Sequence, residues 1–204
     1  MILVDTNLLI YAVDSASPLH PRARTWMEDR LNGPIGVGLP WQVLNGFARL
    51  ISNPRVCPRP MSTAQAWSIV EEWLTLEGTF TPEPTPRHRT VLSTLMPRVT
   101  RADLIPDAHL AALAIEYGLI LCSTDADFDR FPGLAWTNPL TDEWRVPGPR
   151  PIFGGAPTGA IRRPTRRTVR PGAALESSTP TISRRGPVAR VATGYLGAAA
   201  MVPS

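Results

Sequence analysis

The sequence contains no lysine; all 21 of its basic residues are arginine. Chemistry that needs an amine is therefore excluded, including Schiff-base catalysis, the P-loop lysine and the phosphate-neutralising lysine of receiver or haloacid-dehalogenase-like sites. Cysteine is scarce as well. Cys57 and Cys122 stand far apart without a Cys-x-x-Cys spacing, which reads as two buried thiols in a reducing cytoplasm, not as a disulfide or metal pair. His20, His88 and His109 share no His-x-x-x-His spacing, so surface or capping roles are expected and a zinc site is not. No apolar run approaches the roughly 18 residues of a membrane span, and the apolar N-terminus is broken by Asp5 and Asp14 without a basic leader.

The C-terminal part is poor in acids and aromatics. Residues 145–204 hold Glu176 as their one acid and Phe153 and Tyr195 as their two aromatics, among ten Arg, nine Pro and eight Gly. A segment with so few large apolar groups cannot bury enough surface to offset the entropy of ordering, and disorder is predicted. It carries a net charge of +9, whereas residues 1–144 hold all six Trp and, with eleven Arg against sixteen acids, a net of −5. The expected organisation is a domain over 1–144 and an extension over 145–204. The runs "AIRRPTRRTVRPG" and "TISRRGPVARVATG" in that extension suit RNA binding by counterion release, or a tail with no specific partner.

Within 1–144, short apolar runs alternate with helical patterns, which predicts a parallel sheet flanked by helices. Strands are expected at residues 2–4, in "IGVG", in "LILC" and in "LAWT", with "TFTPE" as a short extended piece. Helices are expected from about Asn7 to Val13, over "HPRARTWMEDRLN", over "PWQVLNGFARLIS" with Pro40 in its first turn, and over "TPRHRTVLSTLM" from Thr85 and Pro86. Ser62 and Gln65 have capping-box spacing before a stripe of Trp67, Val70 and Leu74, and Trp26, Trp67 and Trp73 are expected in the core. Pro106 opens a further helix that Gly118 closes, and "STDADF" forms a turn or short helix. No internal repeat is visible. The predicted fold is a three-layer α/β/α domain.

Three carboxylates take equivalent places in this plan. Asp5 follows the first strand, Asp107 sits in the first turn of a helix, and Asp125 follows "LILC", with Asp127 just beyond. The carboxyl ends of parallel strands share one edge, where ligands bind, so the three are candidates to converge. Each alone reads as a helix or turn cap. Together they repel and need a cation, and hard oxygen ligands point to Mg²⁺ or Mn²⁺. Such an ion supports in-line attack on a phosphodiester. Thr6, Asn7, Ser123 and Thr124 are short polar neighbours able to orient a carboxylate, a water or a phosphate, or to serve as local caps.

The segments "ILVDTNLLIYA", "LPWQVLNGFARLISNPRV", "DLIPDAHLAALAIEYGLILCSTDADFDRFPGL" and "WTNPL" resemble the PIN-domain ribonuclease toxins of bacterial VapBC toxin-antitoxin pairs, over about residues 1–144. The resemblance implies a three-layer α/β/α PIN-like domain and a Mg²⁺-dependent endoribonuclease. Its implied partners are RNA, with transfer RNA as a family-level expectation, a VapB-like antitoxin and a second copy of the chain. It assigns the catalytic and metal-binding positions to Asp5, Asp107 and Asp125, with Asp127 secondary. Many members also carry a glutamate on the helix after the second strand, where this chain has Gln42. An amide neither adds charge to a metal site nor acts as a base. The competing expectation is thus a catalytically impaired PIN domain that binds RNA or protein. A haloacid-dehalogenase-type phosphatase is disfavoured by Asn7, where a second Asp is needed, and by the missing lysine. Arg22, Arg24, Arg49, Arg55 and Arg59 are candidates for a basic rim.

Overall fold

The computed structural model describes residues 1–141. The tail predicted over 145–204 and the domain end placed at Trp144 lie outside the described residues. Five short strands make one all-parallel sheet: β1 (Ile2–Val4), β2 (Val37–Gly38), β3 (Thr79–Phe80), β4 (Ile120–Cys122) and β5 (Trp136–Thr137), in the spatial order β3-β2-β1-β4-β5. The helices among the described residues are α1 (Thr6–Val13), α2 (His20–Leu31), α3 (Trp41–Ile51), α4 (Thr63–Thr75), α5 (His88–Leu95) and α6 (Ile105–Tyr117).

The topology follows from handedness. From β1 the chain steps outward to β2 and β3, each time through two helices, and right-handed crossovers put α1 to α4 on one face. It then returns past β1 to β4, which carries α5 and α6 to the opposite face. The packing agrees: α1 rests on α2 and α3, α3 on α4, and α5 on α6. The direction of winding reverses between β1 and β4, and there the carboxyl edge of an open sheet forms its ligand crevice.

Both faces of the sheet are covered, so its central strands β1, β2 and β4 are apolar throughout. Leu3 pairs with Gly38 on one side and Leu121 on the other, and Val4 pairs with Cys122. Ile2, Leu3, Val4, Leu121 and Cys122 are all buried, and burial pushes the Cys122 thiol up to about 12. Gly38 is tightly enclosed: a Cβ would stand 3.0 Å from Leu3 Cδ1 and 3.2 Å from the Ile2 carbonyl, so its neighbours would have to give way. Helix α6 is apolar almost all round, with Ala108, Leu110, Ala111, Ala112, Leu113 and Ala114 buried, and its alanines let it lie close against the sheet. Gly118 ends it at φ 63°, a left-handed conformation that a Cβ disfavours.

Four local expectations change. "TFTPE" supplies a true edge strand, β3, paired in parallel with β2 through Thr79 and Phe80. Pro40 is the extended residue before α3 and not part of its first turn. Helix α5 begins at His88, because Thr85 caps a preceding turn by accepting from the Arg87 N–H at 3.1 Å. On α4 the capping box of Ser62 and Gln65 forms as expected, but the buried stripe is Ala66, Ile69, Val70 and Trp73. Trp67 falls one residue off that stripe, is 40% exposed, and stacks on Trp41 at 6.5 Å between ring centroids.

The histidines also depart from surface roles. Between α5 and α6, His88 Nε2 and His109 Nδ1 share a hydrogen bond at 2.8 Å, and His88 Nδ1 lies 3.2 Å from Glu116 Oε2. The Glu116 side chain is fully buried and also accepts from Thr85 Oγ1 at 3.1 Å. His20 is half-buried, with Nδ1 3.0 Å from the Tyr11 carbonyl.

Candidate active site

The sheet itself positions Asp5. Its backbone N–H bonds to the Cys122 carbonyl at 3.0 Å, one residue beyond the β1–β4 ladder, so its carboxylate emerges at the carboxyl edge. There Asp5 uses both of its carboxylate oxygens. Oδ1 accepts from the Thr6 N–H at 2.6 Å as the N-cap of α1, and Oδ2 accepts from Ser123 Oγ at 2.7 Å.

Ser123 is the hub. It follows β4, its N–H is held by the Thr137 carbonyl at 3.1 Å, and it is fully buried. Its hydroxyl donates to Asp5 and accepts from Asn7 Nδ2 at 2.9 Å and from the Asp125 N–H at 3.0 Å. One donor and two acceptor sites exhaust a hydroxyl, so Ser123 fixes Asp5, Asn7 and Asp125 at once. Asp125 then caps the 3-10 helix Ala126–Arg130 by accepting from the Asp127 N–H at 2.8 Å.

Asp107 enters from the other side, half-buried in the first turn of α6. Its carboxyl is pushed up to about 6, first by burial and then by the charges of Asp5, Asp125, Asp127 and Asp103. Burial also raises Asp5, against the lowering effect of its bonds to Ser123 and Thr6, and Asp125 adds repulsion. Burial and the neighbouring carboxylates thus disfavour the charges of Asp5 and Asp107.

The secondary positions divide. Asn7 belongs to the cluster, and its buried Oδ1 has no hydrogen-bond partner. Thr6 serves mainly through its backbone. Its hydroxyl points to α3, 3.5 Å from the Val43 carbonyl, where a Cβ on Gly46 would crowd it at 3.1 Å. Thr124 makes no hydrogen bond to the described residues and is half-buried. Gln42 donates from Nε2 to the Pro106 carbonyl at 3.3 Å, bracing α3 against the turn that presents Asp107. A carboxylate could not make that bond. Asp127 turns from the cluster to two cations: Oδ2 accepts from Arg101 at 3.0 Å, and Oδ1 accepts from Arg130. Arg130's bond is the main reason that the Asp127 carboxyl lies below its usual range.

These residues fit a hard divalent cation. The donors are all oxygens, Asp5 and Asp107 are destabilised by like charge, and Asn7 Oδ1 is an orphaned buried acceptor beside them. Among the described residues no three His, Cys, Asp or Glu side chains are grouped closely enough to hold a metal ion by themselves. The arrangement is an open acidic cluster, which suits Mg²⁺: that ion takes one or two carboxylates and fills its remaining positions with water and phosphate.

The arginines bonded to the cluster's mouth, Arg101 and Arg130, are not among those picked from the sequence. One signal was available, since Arg130 stands at i+3 from Asp127 on a short helix.

Comparison with known proteins matches the chain to a family. The PIN domain pattern covers residues 2–134. The chain belongs to the PIN-domain family. Ribonuclease VapC33 of Mycobacterium tuberculosis is 40% identical to it over 143 residues, spanning 70% of this chain and 100% of that relative. Ribonuclease VapC37 of the same organism is 39% identical over 140 residues, 68% of this chain and 97% of that one. Among solved structures, the VapBC2 complex of Rickettsia felis bound to promoter DNA aligns with a TM-score of 0.49 at 17% identity, over 68% of this chain and 98% of that chain. No helix among the described residues is long and apolar enough to cross a membrane.

Proposed function

We propose that this protein is a Mg²⁺-dependent endoribonuclease toxin of a type II toxin-antitoxin pair. The observation that carries the reading is the meeting of Asp5, Asp107 and Asp125 at the β1–β4 reversal, in a PIN domain whose relatives are named ribonucleases. Asp5, Asp107 and Asp125 would hold the cation, with Mn²⁺ as a possible substitute. When bound, the ion supplies a water of lowered pKa and neutralises charge on the phosphate. The chain's own contribution is to hold its oxygens in place before substrate arrives. Ser123 locks Asp5 and Asp125 through a single hydroxyl, the sheet fixes the Asp5 backbone, and the α6 N-terminus presents Asp107 where the helix dipole favours negative charge. Asn7 Oδ1, buried and otherwise unbonded, would accept a hydrogen bond from a bound water.

A VapB-like antitoxin, a homodimer and a cytoplasmic setting belong to the same reading. Family membership supports the first two, and the two buried free thiols, Cys57 and Cys122, support the third. A second reading, an impaired PIN domain that only binds RNA or protein, is favoured by one observation: Gln42 is spent on the Pro106 carbonyl and supplies no fourth carboxylate.

The deciding experiment incubates the full chain with total RNA in Mg²⁺ or EDTA. The nuclease reading expects cleavage in Mg²⁺ alone, abolished by Asp5→Asn. RNA binding without cleavage in either condition would favour the binding module.

A further inference from the structure

The mouth of the acidic cluster holds an arginine that the cation chemistry does not use. Arg101 precedes the 3-10 turn Ala102–Leu104 that leads into α6. Its Nε donates to Asp103 Oδ1 at 3.2 Å and its Nη2 to Asp127 Oδ2 at 3.0 Å. The Asp127 N–H donates to Asp125 Oδ1 at 2.8 Å, so the guanidinium that Asp127 holds stands at the Asp125 rim of the cluster. Arg130 holds Asp127 from the other side. It donates Nε to the Asp127 carbonyl at 3.0 Å and Nη2 to the carboxylate, and it reaches Thr100 Oγ1 through Nη1 at 3.4 Å.

The two arginines differ in what they have left to offer. Arg130 commits all three of its nitrogens and is 26% exposed. Arg101 uses two of the five N–H groups of a guanidinium, and its side chain is 56% exposed. Two carboxylates thus orient a fork that still faces water with most of its donors. A cluster of aspartates repels a polyanion, so an RNA strand arriving there needs positive charge besides any bound cation. A guanidinium recognises a phosphodiester by paired N–H bonds.

We propose that Arg101, oriented by Asp103 and Asp127, is a binding site for an RNA backbone phosphate next to the cleaved bond. Asp127 is then an anchor for arginine and not a metal ligand. The proposal rests on RNA being the substrate.

The test measures binding of a single-stranded RNA oligonucleotide to the full chain in EDTA across a salt series, with cleavage in Mg²⁺ as a parallel arm. Loss of one phosphate contact should reduce the slope of log affinity against log salt by about 0.7 in Arg101→Gln. KM in the cleavage arm should rise about tenfold with kcat little changed. Arg101→Lys should keep the slope while losing part of the affinity. Asp127→Asn should weaken RNA binding without weakening Mg²⁺ binding. An Arg101→Gln protein with the wild-type slope and KM would overturn the proposal while leaving the nuclease reading intact. Lost Mg²⁺ affinity with an unchanged RNA slope in Asp127→Asn would overturn it too, by making Asp127 a ligand. A wild-type chain that binds RNA with an Arg101-dependent slope yet never cleaves it would support the phosphate site and sink the nuclease.

Discussion

Around Asp107, carboxylate faces carboxylate; around His109 and Glu116, farther along the same helix, each ionisable group faces a partner of complementary kind. Glu116 is fully buried yet receives bonds from the Thr85 hydroxyl and His88, and His88 in turn shares a short bond with His109. That cluster is closed and asks nothing from outside. Asp5 and Asp125 are held as firmly, through Ser123, but burial and neighbouring carboxylates raise Asp5 and push Asp107 up to about 6. Firm positioning without charge balance is what a site awaiting a cation should show. Firm positioning with balance is what a structural joint between α5 and α6 should show.

The two clusters should therefore respond oppositely to mutation. Asp107→Asn is expected to lower Mg²⁺-dependent RNA cleavage by about 10²- to 10³-fold while the melting temperature stays level or rises, because a crowded charge is removed. Glu116→Ala should do the reverse, lowering stability by about 3 kcal/mol through the stranded His88 and Thr85 groups, with cleavage per folded molecule retained. If calorimetry found both variants equally destabilised, the contrast would be lost.

Gln42→Glu probes the border between the two kinds of group. Removing the donor to Pro106 should lower stability of the metal-free protein by about 1 kcal/mol, and Mg²⁺ should restore part of it as the new carboxylate joins the cluster. An equal loss with and without Mg²⁺ would mean that this position has no access to the cation. The smallest effect concerns pH. Burial, and then the neighbouring His88, hold His109 below its ordinary value, with Glu116 acting in the other direction. The unfolded chain takes up this proton first, so the stability His109 contributes is present above about pH 6.5 and is lost as pH falls below it. His109→Gln should flatten that limb of a melting-temperature profile.

How far the sequence carried the reading depended on range. Asp5, Asp107 and Asp125 are candidates from sequence alone, because each sits at a strand end or helix start and a parallel sheet gathers such positions at one edge. Gly118 and the Ser62–Gln65 box were readable because their signals are local. The edge strand Thr79–Phe80 was harder, since two residues carry no periodicity and only pairing with β2 defines them. The His88–His109 bond joins residues 21 apart across two helices, and nothing in either neighbourhood announces it. Arg101 and Arg130 looked like any solvated charges until Asp127 placed them. Trp67 was misplaced because its spacing fits an apolar stripe, while the real stripe runs one residue to the side through Ala66, Ile69, Val70 and Trp73.

The central claim is that the aspartate cluster is built for a cation it does not itself supply. Its most direct test is the thermal denaturation of metal-free full-length protein, titrated with Mg²⁺, for the wild type and Asp5→Asn. At tenfold the dissociation constant the wild type should gain about 1.4 kcal/mol, a rise of a few degrees, and Asp5→Asn should gain little. A wild-type melting temperature that ignores Mg²⁺, or one that Mg²⁺ raises equally in Asp5→Asn, would contradict the claim.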